Sequence, residues 1–337
     1  MTGVRHTPRG RERTQELERA SLSTWATLSA ETKGREREEA PDQLRTAFQQ
    51  DCERILSSKA FKCLRVKTHS VLAPEGEGPR VRLMHTLEVS RAARTIARAL
   101  RLNEDLTEAT ALGHDLGATA FANAGEEALS SFTEQPFRHN EQSLRVVEQV
   151  EGGGQGLNLT WEVRDGILSH PPHAPVPATL EGQVTRIAAR IVSVTDDLDD
   201  ALRTRVCLYS DLPAEVRHVL GGSHPERVAR LISDVVASSM DAPEVRMSQR
   251  MAQAFDALAA FVVERVRNRG REQAEHARGI HCLRSLVVFY LDNPDRLPGP
   301  HRGDDPLLTR TIDFVAGLGD ADALRLFQRL LLPTVAS

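Results

Sequence analysis

Apolar positions recur at intervals of three and four along most of the chain, and sustained strand-type alternation is absent, so the pattern predicts helices. Helical spacing begins near Pro41-Asp42 and runs through Ala47, Phe48, Ile55, Leu56 and Phe61. The stretch from Pro74 to Pro79, which holds Gly76 and Gly78, predicts a loop. A helix is expected from about Val81 to Leu100. Within it Val89, Ala92, Ala93 and Ile96 fall 4, 7, 8 and 11 residues after His85, which puts His85 on the apolar stripe. Asn103 is a favourable N-cap, and Glu104 and Asp105 suit the first turn behind it. That next helix runs through Leu106, Ala109 and Leu112 and ends near His114-Asp115, with Gly117 beyond. Segments 183–205, 225–240, 244–267 and 272–291 carry the same period. A Pro-rich stretch, 292–306, separates them from a last helix around 307–332. The glycines between Glu151 and Gly156 precede no Gly-Lys-Ser/Thr, so they predict a linker and not a phosphate cradle.

No internal repeat is apparent, and the expected architecture is an all-α helical bundle forming one elaborated domain from 41 to 337. Residues 1–40 are polar and charge-mixed, with Arg5, Arg9, Arg11 and Arg13, and predict a flexible, solvated arm.

Composition narrows the function classes. The chain has 337 residues, 40% of them hydrophobic, enough for a sizeable core. Charged residues make up 27% and the net charge is −4, so there is no general pull toward nucleic acid or membranes. Aromatics at 4% argue against a surface that stacks unpaired bases. Cys52, Cys63, Cys207 and Cys282 show no metal-type or disulfide spacing, which points to a reducing compartment. The Arg-rich start has no apolar h-region, and no apolar run approaches the roughly 20 residues of a membrane span. The expectation is a cytoplasmic protein with no membrane partner and no general affinity for nucleic acid, local basic patches aside.

The candidate chemistry centres on His85 and the His114-Asp115 pair. A lone histidine on an apolar helix face is usually a satisfied core residue. A His-Asp dipeptide at the end of the neighbouring helix changes that reading. Antiparallel packing of the two helices brings together two imidazoles and a carboxylate, a set that suits a divalent transition metal with open positions. Such an ion polarises a phosphoryl oxygen.

These residues sit in longer blocks. LRTAFQQDCERILSSKAFKCLRVKTH (Leu44 to His69), VRLMHTLEVSRAARTIARAL (Val81 to Leu100) and NEDLTEATALGHDLGATAFANAGEEAL (Asn103 to Leu129) come first. FRHNEQSLRVV, GLNLTWEVRDGILSH, LEGQVTRIAARIVSVTDDLDDAL, CLRSLVVFYLDNPDRLP and TIDFVAGLGDADALRLFQRL follow. In content and order the chain resembles the dGTPase-like branch of the HD-domain phosphohydrolases, nearly end to end. The resemblance implies an HD-domain bundle, with its core at about 81–205 and additional C-terminal helices at about 206–337. It implies hydrolysis of a deoxynucleoside triphosphate to the deoxynucleoside and inorganic triphosphate, a divalent metal such as Mg²⁺, Mn²⁺ or Co²⁺, and a homo-oligomer. His85, His114 and Asp115 would hold the metal, and Glu126 and His139 would handle water and protons. His69, Arg80, Arg82, Asn158 and Asp197 would meet the substrate.

The pattern also breaks. The family's HDxGHxPFGHxGE reads here as HDLGATAFANAGE, so Ala118 and Asn123 stand where histidines are expected. An amide transfers no proton at neutral pH, a role typically worth about 10²–10⁴-fold. The family's fourth metal ligand, an aspartate in a segment like LADEIAY, is Ala189 in IAARIVS, with Arg190 and Ser193 replacing a glutamate and a tyrosine. His69 stands where the family often has a glutamine. Asp196 lies about 10 Å further along the helix than Ala189, too far to substitute. The run TDDLDD therefore reads as an exposed acidic face, Asp197 excepted. Either the open site still holds a metal, or Arg190 pairs with Asp115 in its place, although helix phase points Arg190 elsewhere. Two functions follow: a dNTP triphosphohydrolase, or a pseudoenzyme that binds nucleotide or acts in assembly. Another HD phosphohydrolase activity fits less well, because the blocks outside the metal site are dGTPase-like.

Overall fold

The computed structural model describes residues 10–70, 78–267, 270–298 and 305–333. Helices dominate: α1 (Gly10–Ser21), α2 (Ala47–Ser57), α3 (Lys59–Cys63), α4 (Arg82–Ala99), α5 (Glu104–Gly113), α6 (Asn123–Ser130), α7 (His139–Arg145) and α8 (Trp161–Ser169) form the first half. The second half contains α9 (Leu180–Arg203), α10 (Ala214–Leu220), α11 (His224–Ser239), α12 (Gln249–Val262), α13 (Gly270–Asp292), α14 (Leu307–Ala316) and α15 (Asp320–Leu331). A short antiparallel ribbon pairs β1 (Thr68–Ser70) with β2 (Arg80–Val81), Thr68 facing Val81. The fold is all-α apart from this ribbon.

Helices α4, α5 and α9 pack on one another at the centre. Val89, Ala92, Ala93 and Ile96 of α4 meet Val184, Ala188, Ile191 and Val192 of α9 in one apolar cluster. A second cluster joins Phe48 and Ile55 of α2 to Leu106 and Ala109 of α5 and Ile167 of α8. A third ties Ala128 and Leu129 of α6 to Leu283 and Leu286 of α13 and Val315 of α14. Burying such side chains stabilises the fold by about 1.5–3 kcal/mol each. The small residues of α4 allow close approach to α9, and the His85 stripe faces inward as the period predicts.

The helix ends follow local chemistry. Asn103 caps α5 by accepting from the Asp105 and Leu106 amides. Helix α2 starts later than its periodicity suggested, because Thr46 and Gln49 form a reciprocal capping box. The predicted final helix is two, broken at Gly317-Leu318-Gly319. The Gly152-Gly153 pair, both at positive φ, forms a turn as the linker reading expects. The loop expected at 74–79 lies largely outside the described residues.

The flexible-arm expectation needs correction from Gly10 onward; residues 1–9 lie outside the described residues. Buried Glu18 accepts from the amide and hydroxyl of Ser29 at 2.8 and 2.7 Å. Glu181 of α9 accepts from the Thr27 amide at 2.9 Å, and Glu162 of α8 from that of Lys33 at 2.7 Å. Arg35 pairs with buried Asp51 of α2. Glu18 thus closes the segment on itself, and three acidic side chains spaced far apart in sequence, Glu181, Glu162 and Asp51, stitch it to the domain. Local composition does not reveal them.

Candidate active site

Two helix ends aim imidazoles at a common point. His114 is the C-cap of α5 and its Nδ1 donates to the Ala111 carbonyl at 2.7 Å. His170 is the C-cap of α8 and its Nδ1 donates to the Ile167 carbonyl at 2.8 Å. A carbonyl only accepts, so each ring carries its proton on Nδ1 and turns a bare Nε2 lone pair away from its helix. The turn after α5 is pinned to α7: the Ser143 hydroxyl donates to the His114 carbonyl and accepts from the Gly117 amide, both at 2.8 Å. Only glycine fits at 117, where a Cβ would stand 2.2 Å from the Ser143 nitrogen.

His85 arrives from α4. Its ring lies 5.6 Å from that of His114, centroid to centroid, and stacks on His69 of β1 at 3.9 Å. The ribbon thus delivers His69 beside His85. One donor atom each from His69, His85 and Asp115 all lie within 4.8 Å of one another. The His114 Nε2 is 3.7 Å from Asp115 Oδ2. These groups fit a divalent cation. His114 offers an oriented lone pair, and buried His85 has a Nδ1 with no hydrogen-bond partner.

Asp115 is also held by a cation of the protein. Arg82 Nη1 donates to its Oδ2 at 3.0 Å, and both side chains are buried. Burial pushes the Asp115 carboxyl up, but Arg82 and the surrounding imidazoles outweigh it and hold the group well below its ordinary value. Arg190 does not supply this charge. It pairs with Asp256 at 2.6 Å and lies over the Phe255 ring. Arg190 points away from Asp115, as helix phase predicts, and the basic partner of Asp115 comes from three residues before His85.

A second cluster adjoins the first. His139 Nδ1 lies 2.6 Å from Glu126 Oε1, and its Nε2 lies 3.1 Å from the Nε2 of His170. Since the His170 Nε2 is a lone pair, His139 must donate there. A proton on Nδ1 as well makes it an imidazolium facing a carboxylate. Burial opposes that charge, but the Glu126 hydrogen bond and charge raise the His139 pKa. Burial likewise pushes Glu126 up and His139 overrides it, lowering the carboxyl. Burial first, then the charges of His114 and His139, hold His170 well below its ordinary value. Sequence reasoning missed His170. Its signal was the same as for His114, a histidine at a helix end, here with prolines behind it.

A cavity of about 1100 Å³ opens over both clusters. Its lining includes His69, Arg82, His85, His114, Asp115, Glu126, His139, Ala189 and Asp197. Ala189 and Asn123 stand in the wall, so these two family departures face the same space. Two candidate substrate residues are elsewhere. Arg80 is not among the cavity residues; it is bound by Glu88 at 3.0 Å, Asp196 at 3.3 Å and Asp200 at 3.4 Å. Asn158 sits at φ 53° and bonds both backbone groups of Arg37, at 3.0 and 2.9 Å, so it is the turn asparagine that anchors the N-terminal segment. The acidic face read from TDDLDD is likewise corrected. Asp196 and Asp200 are buried: Arg80 of β2 pairs with both, and His224 Nε2 of α11 lies 2.9 Å from Asp196 Oδ1.

The loop leading into α6 is strained. Phe121 and Ala122 both have positive φ, 60° and 54°, with Ala122 ψ at −129°. That backbone region is nearly exclusive to glycine. An Ala122→Gly chain is therefore expected to gain about 1 kcal/mol, the relief of strain exceeding glycine's entropy cost. Chemical denaturation of the two proteins checks this; equal midpoints would contradict it.

His85 makes a second stability prediction. Burial, with smaller contributions from its charged neighbours, lowers its pKa from 6.5 to about 3. The folded chain then refuses a proton that the unfolded chain accepts. This stability is present above 6.5 and drains as pH falls toward the folded value, at about 1.4 kcal/mol per pH unit. Denaturation midpoints at about pH 7 and about pH 5 should diverge less for His85→Gln than for the unmutated chain.

Two stretches of the chain match known domain families. Residues 82–201 match the HD domain, and residues 245–329 match the phosphohydrolase-associated domain. A deoxyguanosinetriphosphate triphosphohydrolase-like protein of Caldanaerobacter subterraneus subsp. tengcongensis is 45% identical over 327 residues, covering 96% of each chain. The chain belongs to the dGTPase-like family of HD-domain proteins. Like-named proteins of Desulfatibacillum aliphaticivorans and Clostridium perfringens are 41% and 39% identical, each over 96% of this chain and 98% of theirs. Among solved structures, a hypothetical protein from Aquifex aeolicus is similar with a TM-score of 0.45 at 17% identity, over 83% of this chain and 68% of that one. Membership supports phosphohydrolase chemistry as the broad class, and HD domains are metal-dependent phosphohydrolases. No helix among the described residues is long and apolar enough to cross a membrane.

Proposed function

We propose that this protein hydrolyses deoxynucleoside triphosphates to the deoxynucleoside and inorganic triphosphate, with a divalent cation held by His85, His114 and Asp115. The observation that carries the reading is the meeting of these groups with the Glu126–His139–His170 chain at one cavity. The bound cation supplies Lewis-acid polarisation of the phosphoryl group.

The protein's own residues do the rest. Arg82, already at the cavity floor, holds Asp115 ionised and presents positive charge to the triphosphate. His139 holds a proton on Nε2, 3.9 Å from Asp115 Oδ1. Water attacks the α-phosphorus, the bond from phosphorus to the sugar 5′ oxygen breaks, and that oxygen takes the His139 proton as the nucleoside leaves. The proton released by the attacking water then returns the neutral His139 ring to its charged form. Glu126 keeps the imidazole charged until then, and the His170 lone pair fixes the ring's direction. Asp197 lines the same cavity, where it would meet the nucleoside.

A second reading has specific support. Arg82 already neutralises Asp115, and Asn123 and Ala189 face the cavity, so a chain that binds nucleotide without turnover is consistent with the same site. Incubating the purified protein with each dNTP and Mg²⁺, Mn²⁺ or Co²⁺ separates the two. The first reading predicts deoxynucleoside release that His114→Ala and Asp115→Ala reduce by orders of magnitude. Nucleotide-dependent thermal stabilisation without release establishes the second, since a ligand selective for the folded state raises stability.

A further inference from the structure

We infer that His69 is a metal ligand, filling the coordination position that Ala189 cannot, and that the site therefore prefers a nitrogen-favouring cation such as Co²⁺ or Zn²⁺ over Mg²⁺. The inference rests on the reading of the cavity floor as a metal centre. Of the described residues, His69, His85 and Asp115 are the set whose donor atoms approach within 4.8 Å. Ligand atoms on a single ion lie about 3–4.4 Å apart for bonds of ~2.2 Å, so an ion would draw these three donors together by roughly an ångström. His69 is brought there by the backbone: β1 pairs with β2, and β2 runs directly into α4, which carries His85 one turn later. The amide of Thr68 is tied to Asp320, and the neighbouring Lys67 ammonium donates to the Ala316 carbonyl at 2.8 Å. The strand before the imidazole is therefore fixed to α14 and α15.

Charge and donor type give the consequence. Three imidazoles and one carboxylate leave a bound divalent ion with a net charge of +1. A histidine-rich set suits Zn²⁺, Co²⁺ or Fe²⁺, whereas Mg²⁺ and Mn²⁺ favour carboxylate and water oxygen. Ala189 lines the same cavity and offers no donor atom. Arg82 takes Asp115 Oδ2, which leaves the other carboxylate oxygen for an ion.

The test is titration of the full metal-free chain with Co²⁺, followed by its visible absorption and by equilibrium dialysis. His69→Gln, His85→Ala and the double variant His69→Gln/Ala189→Asp are compared, with thermal melts confirming folding. The expected result is one Co²⁺ per chain, weakened about 100-fold or more with an altered spectrum in His69→Gln. In the double variant affinity returns and the Co²⁺-over-Mg²⁺ preference narrows. If His69→Gln keeps the original affinity and spectrum while His85→Ala loses both, the metal centre stands and His69 is not its ligand. If the unmutated chain binds no Co²⁺, the inference falls together with the metal reading.

Discussion

Asp115→Ala is expected to hydrolyse dNTPs about 10³-fold more slowly than the unmutated protein and to be less stable by about 3–5 kcal/mol. The two losses have different causes. The rate loss comes from removing the one carboxylate among the proposed metal ligands. Lewis-acid stabilisation is worth several kcal/mol, and each 1.36 kcal/mol is tenfold in rate. The stability loss comes from Arg82, whose side chain is only 9% exposed and whose counter-charge lies 3.0 Å away. Without Asp115 a buried guanidinium has no partner. The double variant Asp115→Ala/Arg82→Met should recover most of the stability and none of the activity. Denaturation and initial rates on the same preparations check both. An active Asp115→Ala protein would contradict the assignment, and an undiminished stability would contradict the buried pair.

His139→Gln should lose about 10²–10⁴-fold in kcat, the usual worth of a general acid or base. The pH profile adds a sharper expectation. The Glu126 contact raises the His139 pKa against burial, and the protonated ring is the proposed acid. The rate should therefore fall as pH rises through that elevated value, where His139 gives up its proton. Replacing Glu126 with glutamine removes the raising charge, so the alkaline limb moves to lower pH. His139→Gln loses the limb altogether. A pH–rate profile of the three proteins decides this, and a limb unmoved by Glu126→Gln would assign it to another group.

Much of this site could be read from the sequence for a definite physical reason. His85 lies on a 3.6-residue apolar period, and His114-Asp115 ends the capped helix beside it, so local rules place all three. His69 could be singled out as a departure, but its approach to His85 depends on a ribbon too short to leave an alternating pattern. Arg82 could be named as a candidate phosphate contact and not as the partner of Asp115. That pairing is set by the crossing of α4 and α5. Arg80 and Asn158 were drawn away by partners distant in sequence, Asp196 and Asp200 in one case and Arg37 in the other. The charges at Glu162 and Glu181 look like solvated helix surface until the N-terminal segment lies across them.

The most direct test of the central claim is ³¹P NMR of a single incubation of the purified protein with a dNTP and Co²⁺ or Mn²⁺. The account predicts the resonances of intact inorganic triphosphate appearing with free deoxynucleoside, and their absence when EDTA is present or Asp115 is alanine. Orthophosphate or pyrophosphate as the first product, or triphosphate release unaffected by EDTA and by Asp115→Ala, would contradict it.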